Sequence, residues 1–378
     1  MERAGIYIHI PFCLSRCSYC DFATGMYEGA LARRYVRAVA QEINSFSTPK
    51  VSCEVDTVYF GGGTPSLLDP EQVEQILEAM RNRFQVVPDA EVTMEMNPGG
   101  LQLEVLQNFR ALGVNRASFG AQTFDDDELK RLGRRHTADD VRVTIRLLRE
   151  AGFDNVSFDL IAGLPAQTLE AWERNLDEAL ALLPEHLSLY LLEVHEGTPL
   201  ADQIKRGAQA RPDEDLSAKM YELMLDKTAA AGYEHYEISN FCLHGFQSRH
   251  NTKYWTGTPV FGFGSSAHSF DGKWKRWANE RDAARYTRMI EERKSPVVET
   301  VELDEHAARA ESVFLGLRLL RGIDLKNYRA RFGRDLRKEY EEDLTRLSEA
   351  GLIEFDDELM RLTRHGALLS NEVFATFV

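Results

Sequence analysis

The chain has 378 residues, which is enough for one barrel-sized domain and a smaller one, and 43% of them are hydrophobic and 28% charged, as in ordinary globular proteins. Its formal net charge of −15 argues against electrostatic binding to nucleic acid or to anionic lipid. No apolar run reaches the ~18 residues that a membrane span requires, so we expect no transmembrane segment.

The first predicted element is a short apolar strand at residues 5–10, which leaves no room for the basic segment and apolar core of a secretion signal. The chain has five cysteines, three of them clustered, which suits a reducing compartment better than a disulfide framework. Both features predict a cytoplasmic protein. Cys53 and Cys242 stand alone, and we expect each to be a buried small side chain.

Three cysteines follow this strand in the order Cys13, Cys17 and Cys20, with three and then two residues between them. Thiolates are soft ligands for iron–sulfur clusters and for zinc. A cubane cluster has four irons, so three thiolates would leave one iron open to a small chelating molecule. A structural zinc would need a fourth protein ligand, such as His9. Ordinary buried cysteines are the third interpretation.

Strand-like and helix-like runs alternate through the first two hundred residues. This order predicts parallel strands joined by right-handed crossovers. Six strands are fewer than the eight of a closed barrel, so the fold class is α/β with a partial (β/α)6 barrel whose reactive site lies at the carboxyl ends of the strands. The predicted strands are residues 5–10, 57–60, 91–96, 116–121, 156–161 and 187–194.

Glycines and polar residues occur where these strands end. Glycines allow backbone groups to approach a ligand, acidic groups bind ribose hydroxyls, and Arg holds a carboxylate. Internal hydrogen bonds and a plain tight turn are the alternative interpretation. The residues concerned are Gly62, Gly63 and Thr64 in the 61–66 loop, together with Glu95, Gln122, Arg134 and Asp159.

The pattern changes after residue 211. A helix near residues 213–230 leads to a strand-like run at 233–241, and a segment rich in aromatic residues and glycine follows, which we interpret as loops. His250 lies close to Tyr254 and Trp255 in this segment. Its imidazole is a candidate ligand for heme iron, and the alternative is a hydrogen-bonded packing residue.

The last part of the chain predicts a winged-helix-like module. Residues 304–321 form an amphipathic helix, and residues 352–355 and 359–362 alternate as a small hairpin. The segment has more acidic than basic residues, so we expect no nucleic-acid partner. The predicted domains are 1–211 for the barrel, 212–297 for an extension with aromatic loops, and 298–378 for the C-terminal module, with the linker at 294–304.

Taken together, these motifs resemble the radical S-adenosylmethionine (radical SAM) superfamily. More narrowly they resemble the coproporphyrinogen dehydrogenase-like family and its subgroup of heme chaperones. The similarity covers nearly the whole chain. It rests on residues 7–13 (YIHIPFC) with Cys17 and Cys20, 20–22 (CDF), 61–65 (GGGTP), 94–98 (MEMNP), 113–116 (GVNR), 122–124 (QTF), 133–134 (GR), 159–165 (DLIAGLP) and 250–255 (HNTKYW).

The resemblance implies roles for individual residues. Cys13, Cys17 and Cys20 would hold a [4Fe–4S] cluster, and its open iron would bind the amino and carboxylate groups of S-adenosylmethionine. The remaining residues would bind the rest of that molecule or heme. They are Tyr7, Gly62, Gly63 and Thr64 around the cluster, Glu95 and Arg134 at the amino-acid end, Gln122 and Asp159 at the ribose, Tyr19 and Leu160 at the adenine, and His250 at the heme.

The chain also departs from the dehydrogenase pattern. Asp21 and Phe22 stand where that enzyme has a further cysteine, and only twelve residues precede Cys13, where the enzyme has an extension that contacts substrate. Among heme chaperones a cysteine can stand two residues before the histidine, and here that residue is Ser248. These differences argue against coproporphyrinogen oxidation and leave His250 as the heme-ligand candidate.

The resulting hypothesis is a cytoplasmic radical SAM heme chaperone. It would bind a [4Fe–4S] cluster, S-adenosylmethionine and heme, and deliver heme to acceptor proteins such as respiratory heme proteins, with the cluster regulating delivery or dimerisation. One alternative is a radical enzyme that oxidises or methylates a porphyrin-like or other small molecule. The other is a zinc-stabilised scaffold. Whether S-adenosylmethionine is cleaved, whether the heme near His250 is covalent or histidine-ligated, and whether the chain forms a homodimer are left open.

Overall fold

The computed structural model describes residues 3–47 and 54–377. Seventeen strands occur in these ranges. In chain order they are β1 Ala4–Ile10, β2 Phe12–Cys13, β3 Gly25–Met26, β4 Glu54–Gly62, β5 Gln85–Met96, β6 Arg116–Gln122, β7 Val156–Ala162, β8 His186–Leu191, β9 Glu234–Glu237, β10 Asn240–Cys242, β11 Val260–Phe263, β12 His268–Phe270, β13 Lys275–Asn279, β14 Val297–Glu302, β15 Ile323–Asp324, β16 Ile353–Phe355 and β17 Leu359–Leu362.

The same ranges contain sixteen α-helices. Several begin at side-chain caps that satisfy their free amide groups, such as the capping box of Asp69 with Gln72 and that of Thr137 with Asp140. The helices are α1 Gly29–Ser45, α2 Pro70–Arg83, α3 Leu103–Leu112, α4 Asp126–Arg131, α5 Ala138–Glu150, α6 Leu169–Ala181, α7 Pro199–Lys205, α8 Glu214–Ala230, α9 Arg249–Thr256, α10 Ala283–Glu291, α11 Glu305–Leu317, α12 Leu325–Phe332, α13 Leu336–Glu339, α14 Glu341–Glu349, α15 Arg364–Leu368 and α16 Ser370–Phe374.

A twelve-stranded sheet organises the described residues, in the order β14-β13-β12-β11-β1-β4-β5-β6-β7-β8-β10-β9. The six predicted strands are confirmed as β1 and β4–β8, and each pairs with the next in parallel. Strand β11 adds a seventh parallel strand beside β1. Short antiparallel strands extend both ends, so the sheet is open, as the partial-barrel prediction requires.

The parallel strands have two chemically distinct faces, because successive side chains of a strand point to opposite sides. On β1, Ile6, Ile8 and Ile10 are fully buried and belong to the hydrophobic core with the apolar residues of α1. The intervening positions are small or polar on most strands, as with Tyr7 and His9 on the same strand. The helices therefore cover one face, and the polar face lines the interior that leads to the site.

Three segments differ from the sequence-based prediction. The run at 233–241 is not one strand but the hairpin of β9 and β10. Residues 249–256 were predicted as loop, yet they form helix α9, capped by Ser248 and ended by Gly257 in the left-handed region. The predicted linker at 294–304 contains β14, which pairs with β13 at the edge of the sheet.

The C-terminal part forms a small sheet of its own. Strand β17 pairs antiparallel with both β15 and β16, which confirms the predicted hairpin, and α11–α16 pack around it. The module also contacts the large sheet, because Leu320 donates its amide hydrogen to the carbonyl of Tyr236 at 3.0 Å. The residue boundaries of the three predicted domains stay a prediction.

Cys53 and Cys242, the two isolated cysteines, were predicted to be buried small side chains. Cys242 is fully buried, as predicted, whereas Cys53 lies outside the described residues. Within residues 3–47 and 54–377, none of the helices combines the length and the apolar character needed to cross a membrane.

Candidate functional site

The cysteine loop lies at the carboxyl end of β1 and is tied down by its backbone. The amide of Ser18 donates to the carbonyl of Leu132 at 2.9 Å, and the carbonyl of Ser18 accepts from the amide of Leu200 at 2.8 Å. The carbonyl of Cys13 accepts from the amide of Tyr27 at 2.9 Å. These bonds join the loop to the end of α4, to α7 and to the residue that follows β3, so the loop is held at several points along its length.

Two of the thiols have raised pKa values, as partly buried thiols do. Burial raises the pKa of Cys13 and of Cys20 above the ordinary thiol value, and the neighbouring Cys17 raises each pKa further. Cys13 and Cys20 are therefore both close enough to Cys17 to feel its charge. A thiol must lose its proton to bind iron, so cluster binding has to offset the free-energy cost of deprotonating these buried thiols.

A zinc site with His9 as the fourth ligand does not fit. His9 uses both ring nitrogens, because Nδ1 lies 3.1 Å from the hydroxyl of Tyr7 and Nε2 lies 3.0 Å from the carbonyl oxygen of Ala23. In the described parts of the chain, no three His, Cys, Asp or Glu side chains are grouped to hold one metal ion. A [4Fe–4S] cluster does not need such a group, because each thiolate binds a different iron.

A chain of hydrogen bonds connects two of the sulfurs across the strand ends. Thr64 Oγ1 lies 3.8 Å from Cys13 Sγ and accepts from Asn97 Nδ2 at 2.7 Å. Asn97 Oδ1 accepts from Arg134 Nη2 at 3.0 Å, and Arg134 Nη1 lies 3.5 Å from Cys17 Sγ. The loops after β4, β5 and β6 thus meet at the cysteine loop, and Thr64 and Arg134 both lie against its sulfurs. Their roles toward a cofactor stay a prediction.

Two glycines make room for this arrangement. A Cβ atom at Gly63 would lie 2.6 Å from the carbonyl oxygen of Phe12 and 3.0 Å from Cys13 Sγ, so only glycine lets the two loops approach. A Cβ atom at Gly120 would lie 2.2 Å from Gln122 Nε2 and 3.3 Å from Arg134 Nη2. Gln122 itself has a positive φ of 69°, which turns the chain at the end of β6.

Glu95 and Asp159 are acidic side chains held inside the sheet. Glu95 accepts from the hydroxyl of Tyr59 at 2.7 Å and from the amide of Gly62 at 3.0 Å. Burial raises the pKa of Glu95 to about 7 and that of Asp159 to about 6, and Asp159 adds to the shift of Glu95. A bound cation would stabilise the charged form of Glu95, which suits the ammonium group of an amino acid.

Tyr7, Tyr19 and Leu160, which were also predicted to bind the cofactor, differ in what their side chains contact. Tyr7 stacks on Tyr59 with ring centroids 6.1 Å apart and faces the interior. Tyr19 packs against the buried cluster of Leu132, Ile161 and Leu164. Leu160 is fully buried in the hydrophobic core, on the face opposite Asp159. Its side chain therefore does not reach the interior, so only its backbone is left for the predicted role at an adenine.

His250 is 1% exposed and stacks on Tyr59, whose hydroxyl contacts Glu95. Its Nδ1 atom lies 2.9 Å from Thr57 Oγ1, its Nε2 atom lies 3.1 Å from the hydroxyl of Tyr254, and its ring stacks on Tyr59 at 5.1 Å. Burial lowers the pKa of His250 to about 3, so the ring is neutral. Ligation of heme iron by His250 thus requires the Tyr254 hydroxyl to leave Nε2.

Several polar residues of the interior were not predicted from the sequence. Arg116 is 2% exposed, and its Nε atom has no hydrogen-bond partner among the described residues. Ser157 and Tyr236 both contact the buried ring of His186, at 2.8 Å each. Polar residues at every second position of β6, β7 and β8 are the signal that could have revealed this lining.

The donor set fits a [4Fe–4S] cluster and S-adenosylmethionine. Three thiols occupy one loop, a glycine cradle lies against Cys13, and Glu95, Gln122, Arg134 and Asp159 come from neighbouring strand ends. Glu95 is acidic and Arg134 is basic, which suits the ammonium and carboxylate groups of an amino acid. Asp159 is hydrogen bonded to Ser188, and its carboxylate has further lone pairs that suit hydroxyl groups.

Family models match two parts of the chain. Residues 7–179 match the model described as the Radical SAM superfamily, and residues 303–369 match that of the HemN C-terminal domain. Among solved structures, the coproporphyrinogen III oxidase HemN of Escherichia coli, a radical SAM enzyme, superposes with a TM-score of 0.86 at 24% identity, covering 100% of this chain and 90% of that one. This likeness confirms the fold.

Full-length relatives are more similar in sequence. The heme chaperone HemW of Bacillus subtilis is 37% identical over 373 residues, which is 98% of each chain. HemW of Lactococcus lactis is 36% identical over 98% of this chain and 96% of its own. A mitochondrial protein of Bos taurus, named radical S-adenosyl methionine domain-containing protein 1, is 41% identical over 71% of this chain and 60% of its own.

Proposed function

The chain belongs to the HemW family of heme chaperones within the radical SAM superfamily, and from that premise we propose that it binds heme in the cytoplasm and delivers it to acceptor proteins. Superfamily membership implies a [4Fe–4S] cluster and S-adenosylmethionine. The observation that carries the proposal is the full-length similarity to HemW proteins, joined to a cysteine loop and strand-end residues suited to both cofactors.

We assign the cluster and cofactor residues as follows. Cys13, Cys17 and Cys20 would hold the cluster through their thiolates. When bound, the cluster and S-adenosylmethionine supply one-electron chemistry. The chain would contribute binding and orientation: Glu95 would accept from the ammonium group, and Arg134 would donate to the carboxylate. The remaining contacts come from Tyr7, Tyr19, Gly62, Gly63, Thr64, Gln122, Asp159 and the backbone of Leu160.

Heme binding is proposed at the aromatic segment that contains His250. The iron ligand would be Nε2 of this histidine once Tyr254 has moved away. Tyr59 joins the two sites, because its ring stacks on His250 at 5.1 Å while its hydroxyl donates to Glu95 at 2.7 Å. Binding of S-adenosylmethionine at Glu95 therefore acts on a residue that also contacts His250, which offers a route by which the cofactor site influences heme.

The decisive test is heme titration followed by transfer. The purified chain, with and without reconstituted cluster, is titrated with heme and then mixed with an apo-acceptor such as a respiratory heme protein. A defined Soret band that moves to the acceptor supports the proposal. A wild-type chain that forms no Soret band would refute it. Conversion of coproporphyrinogen with stoichiometric 5′-deoxyadenosine would instead favour the radical-enzyme alternative.

The metal content separates a cluster from a scaffold role. Anaerobic reconstitution should give a brown protein with about four irons per chain, as one [4Fe–4S] cluster requires. The Cys17→Ala variant should lose this colour, whereas Cys242→Ala should keep it, because Cys242 is buried on β10, which pairs with β8 and β9 and not with β1. Stoichiometric zinc in a colourless wild-type protein would contradict the assignment.

A further inference from the structure

A recess lies where the helix of the HNxxYW segment meets the C-terminal module. It is shallow and open to solvent. Helix α9 and strands β12–β13 form one side, and α11 and α12 form the other. Its wall is partly apolar and partly basic, formed chiefly by Trp255, Phe270, Lys273, Arg276, Leu315 and Arg331.

Two buried donors on this wall lack acceptors. Trp255 Nε1 and Arg276 Nε are inaccessible to solvent, and neither has a hydrogen-bond partner among the described residues. Both side chains are held in place, because the guanidinium of Arg318 lies 4.3 Å from the Trp255 ring and that of Arg276 lies 4.5 Å from the Phe270 ring. Unmet buried donors are rare in native proteins, and an anionic ligand is one way to satisfy them.

The charge of the recess is opposite to that of the chain. Lys273, Arg276 and Arg331 line it together with one acidic residue, Glu311, which pairs with Arg276. In the described residues no acidic side chain forms an ion pair with Lys273 or Arg331. A basic recess in a chain with a net charge of −15 is a specific feature rather than an average one.

The recess is also close to the proposed heme ligand. The rings of His250 and Tyr254 are 5.4 Å apart, and those of Tyr254 and Trp255 are 6.4 Å apart. An aromatic path therefore leads from the imidazole to the basic wall. A planar ligand with an apolar body and carboxylates at one edge matches both the path and the charges.

We propose that this recess anchors the propionate carboxylates of heme, with Lys273 and Arg331 supplying positive charge and with Trp255 Nε1 and Arg276 Nε donating hydrogen bonds once heme binding has moved the side chains that cover them. The inference rests on the proposed function, because it requires that the chain bind heme. It adds that the C-terminal module forms part of the heme site, since Arg331 lies on α12 and Leu315 on α11.

The test compares heme with its dimethyl ester, in which both carboxylates are neutral. The cluster-loaded full chain is titrated with each compound, as wild type and as the Lys273→Gln/Arg331→Gln double variant. We expect the double variant to bind heme about tenfold more weakly or worse, because it loses two positive charges that face the carboxylates. We expect its affinity for the ester to equal that of the wild type.

Matched variants control for general effects of charge and of ring substitution. Lys326→Gln/Arg361→Gln removes the same charges elsewhere in the C-terminal module and should leave heme affinity unchanged. Trp255→Phe removes the indole donor but keeps a ring, and should weaken heme binding several-fold, whereas Trp274→Phe, at a 42% exposed position, should not. Thermal melts verify that each variant is folded.

The outcomes separate the two proposals. If the wild type binds heme and the ester equally, or if the recess variants bind heme as the wild type does, the anchor is overturned while heme binding stands. The anchor is also overturned if an acidic peptide from an acceptor binds the recess with salt-sensitive affinity and heme does not displace it. If the wild type binds no heme at all, both proposals are wrong.

Discussion

The Nε2 atom of His250 lies 3.1 Å from the hydroxyl oxygen of Tyr254, four residues later on the same helix. Since burial lowers the pKa of His250 to about 3, the ring is neutral and has a single nitrogen lone pair. Its Nδ1 atom is engaged with Thr57 Oγ1 at 2.9 Å. Heme iron and the Tyr254 hydroxyl therefore compete for Nε2.

Removing that competitor should favour heme. We expect Tyr254→Phe to bind heme several-fold more tightly than the wild type, because one neutral hydrogen bond of about 1 kcal/mol no longer has to be broken. His250→Ala should lose the wild-type Soret band or weaken it markedly. Absorbance titrations at equal cluster content measure both effects.

A histidine far from the site serves as the control. His244 has a 94% exposed side chain, so His244→Ala should leave the spectrum unchanged. An unaltered Soret band in His250→Ala would remove His250 from the heme site and leave it as a hydrogen-bonded packing residue.

Substitution of Gly63 should impair cluster assembly. Its new Cβ atom would lie 2.6 Å from the Phe12 carbonyl oxygen and 3.0 Å from Cys13 Sγ, so the cysteine loop must move. We expect Gly63→Ala to take up less iron during reconstitution and to lose about 1–3 kcal/mol of stability. Gly25→Ala is the matched control, because a Cβ atom there meets no other atom within 4 Å. Equal iron contents in the two variants would contradict the proposed contact.

Glu95→Gln should weaken S-adenosylmethionine binding by tenfold or more. The substitution keeps the size of the side chain but removes the charge that would face the ammonium group. Equilibrium dialysis with cluster-loaded protein gives the dissociation constant. Glu128→Gln replaces another buried carboxylate, which lies on α4 and is hydrogen bonded to Thr123 and Gln167. This variant should bind S-adenosylmethionine normally. Equal affinities for both variants would exclude Glu95 from the cofactor site.

Glu42 predicts a pH dependence of stability. It accepts hydrogen bonds from Tyr286, Gly264 and Asn279, and burial raises its pKa from 4.5 to about 7. Between these two pH values the folded state holds a proton that the unfolded state has lost. The free energy of unfolding should therefore fall as pH rises from about 4.5 to 7, by about 3 kcal/mol, and this term should be constant above pH 7.

The Glu42→Gln variant isolates this term, since an amide does not titrate. Denaturant unfolding of both proteins at a series of pH values gives the difference between their free energies. We expect this difference to shift in favour of the variant as pH rises from 5 to 7 and then to level off. A difference that is independent of pH would show that Glu42 titrates normally.

Local patterns determined most of the fold. Alternating strand and helix runs predicted the six parallel strands, because periodicity is a property of neighbouring residues. The three cysteines and the GGGTP segment were assigned to the carboxyl edge for the same reason, since each follows a strand. Helix α9 was missed, because its aromatic residues are poor helix formers and its Ser248 cap precedes them. Strand β14 was read as a linker because it lies exposed at the edge.

The sequence by itself determined the ligand chemistry of this protein: a thiolate triplet, glycine-lined strand ends, and acidic and basic residues beside them. The tertiary structure alone decided which side chains meet. Thr57 and His250 are 193 residues apart, and Arg134 reaches Cys17 across 117 residues. The Trp255 recess likewise combines residues from two parts of the chain. Such contacts depend on how sheets and helices pack, which no local pattern encodes, and they decide whether a histidine is free to bind a metal.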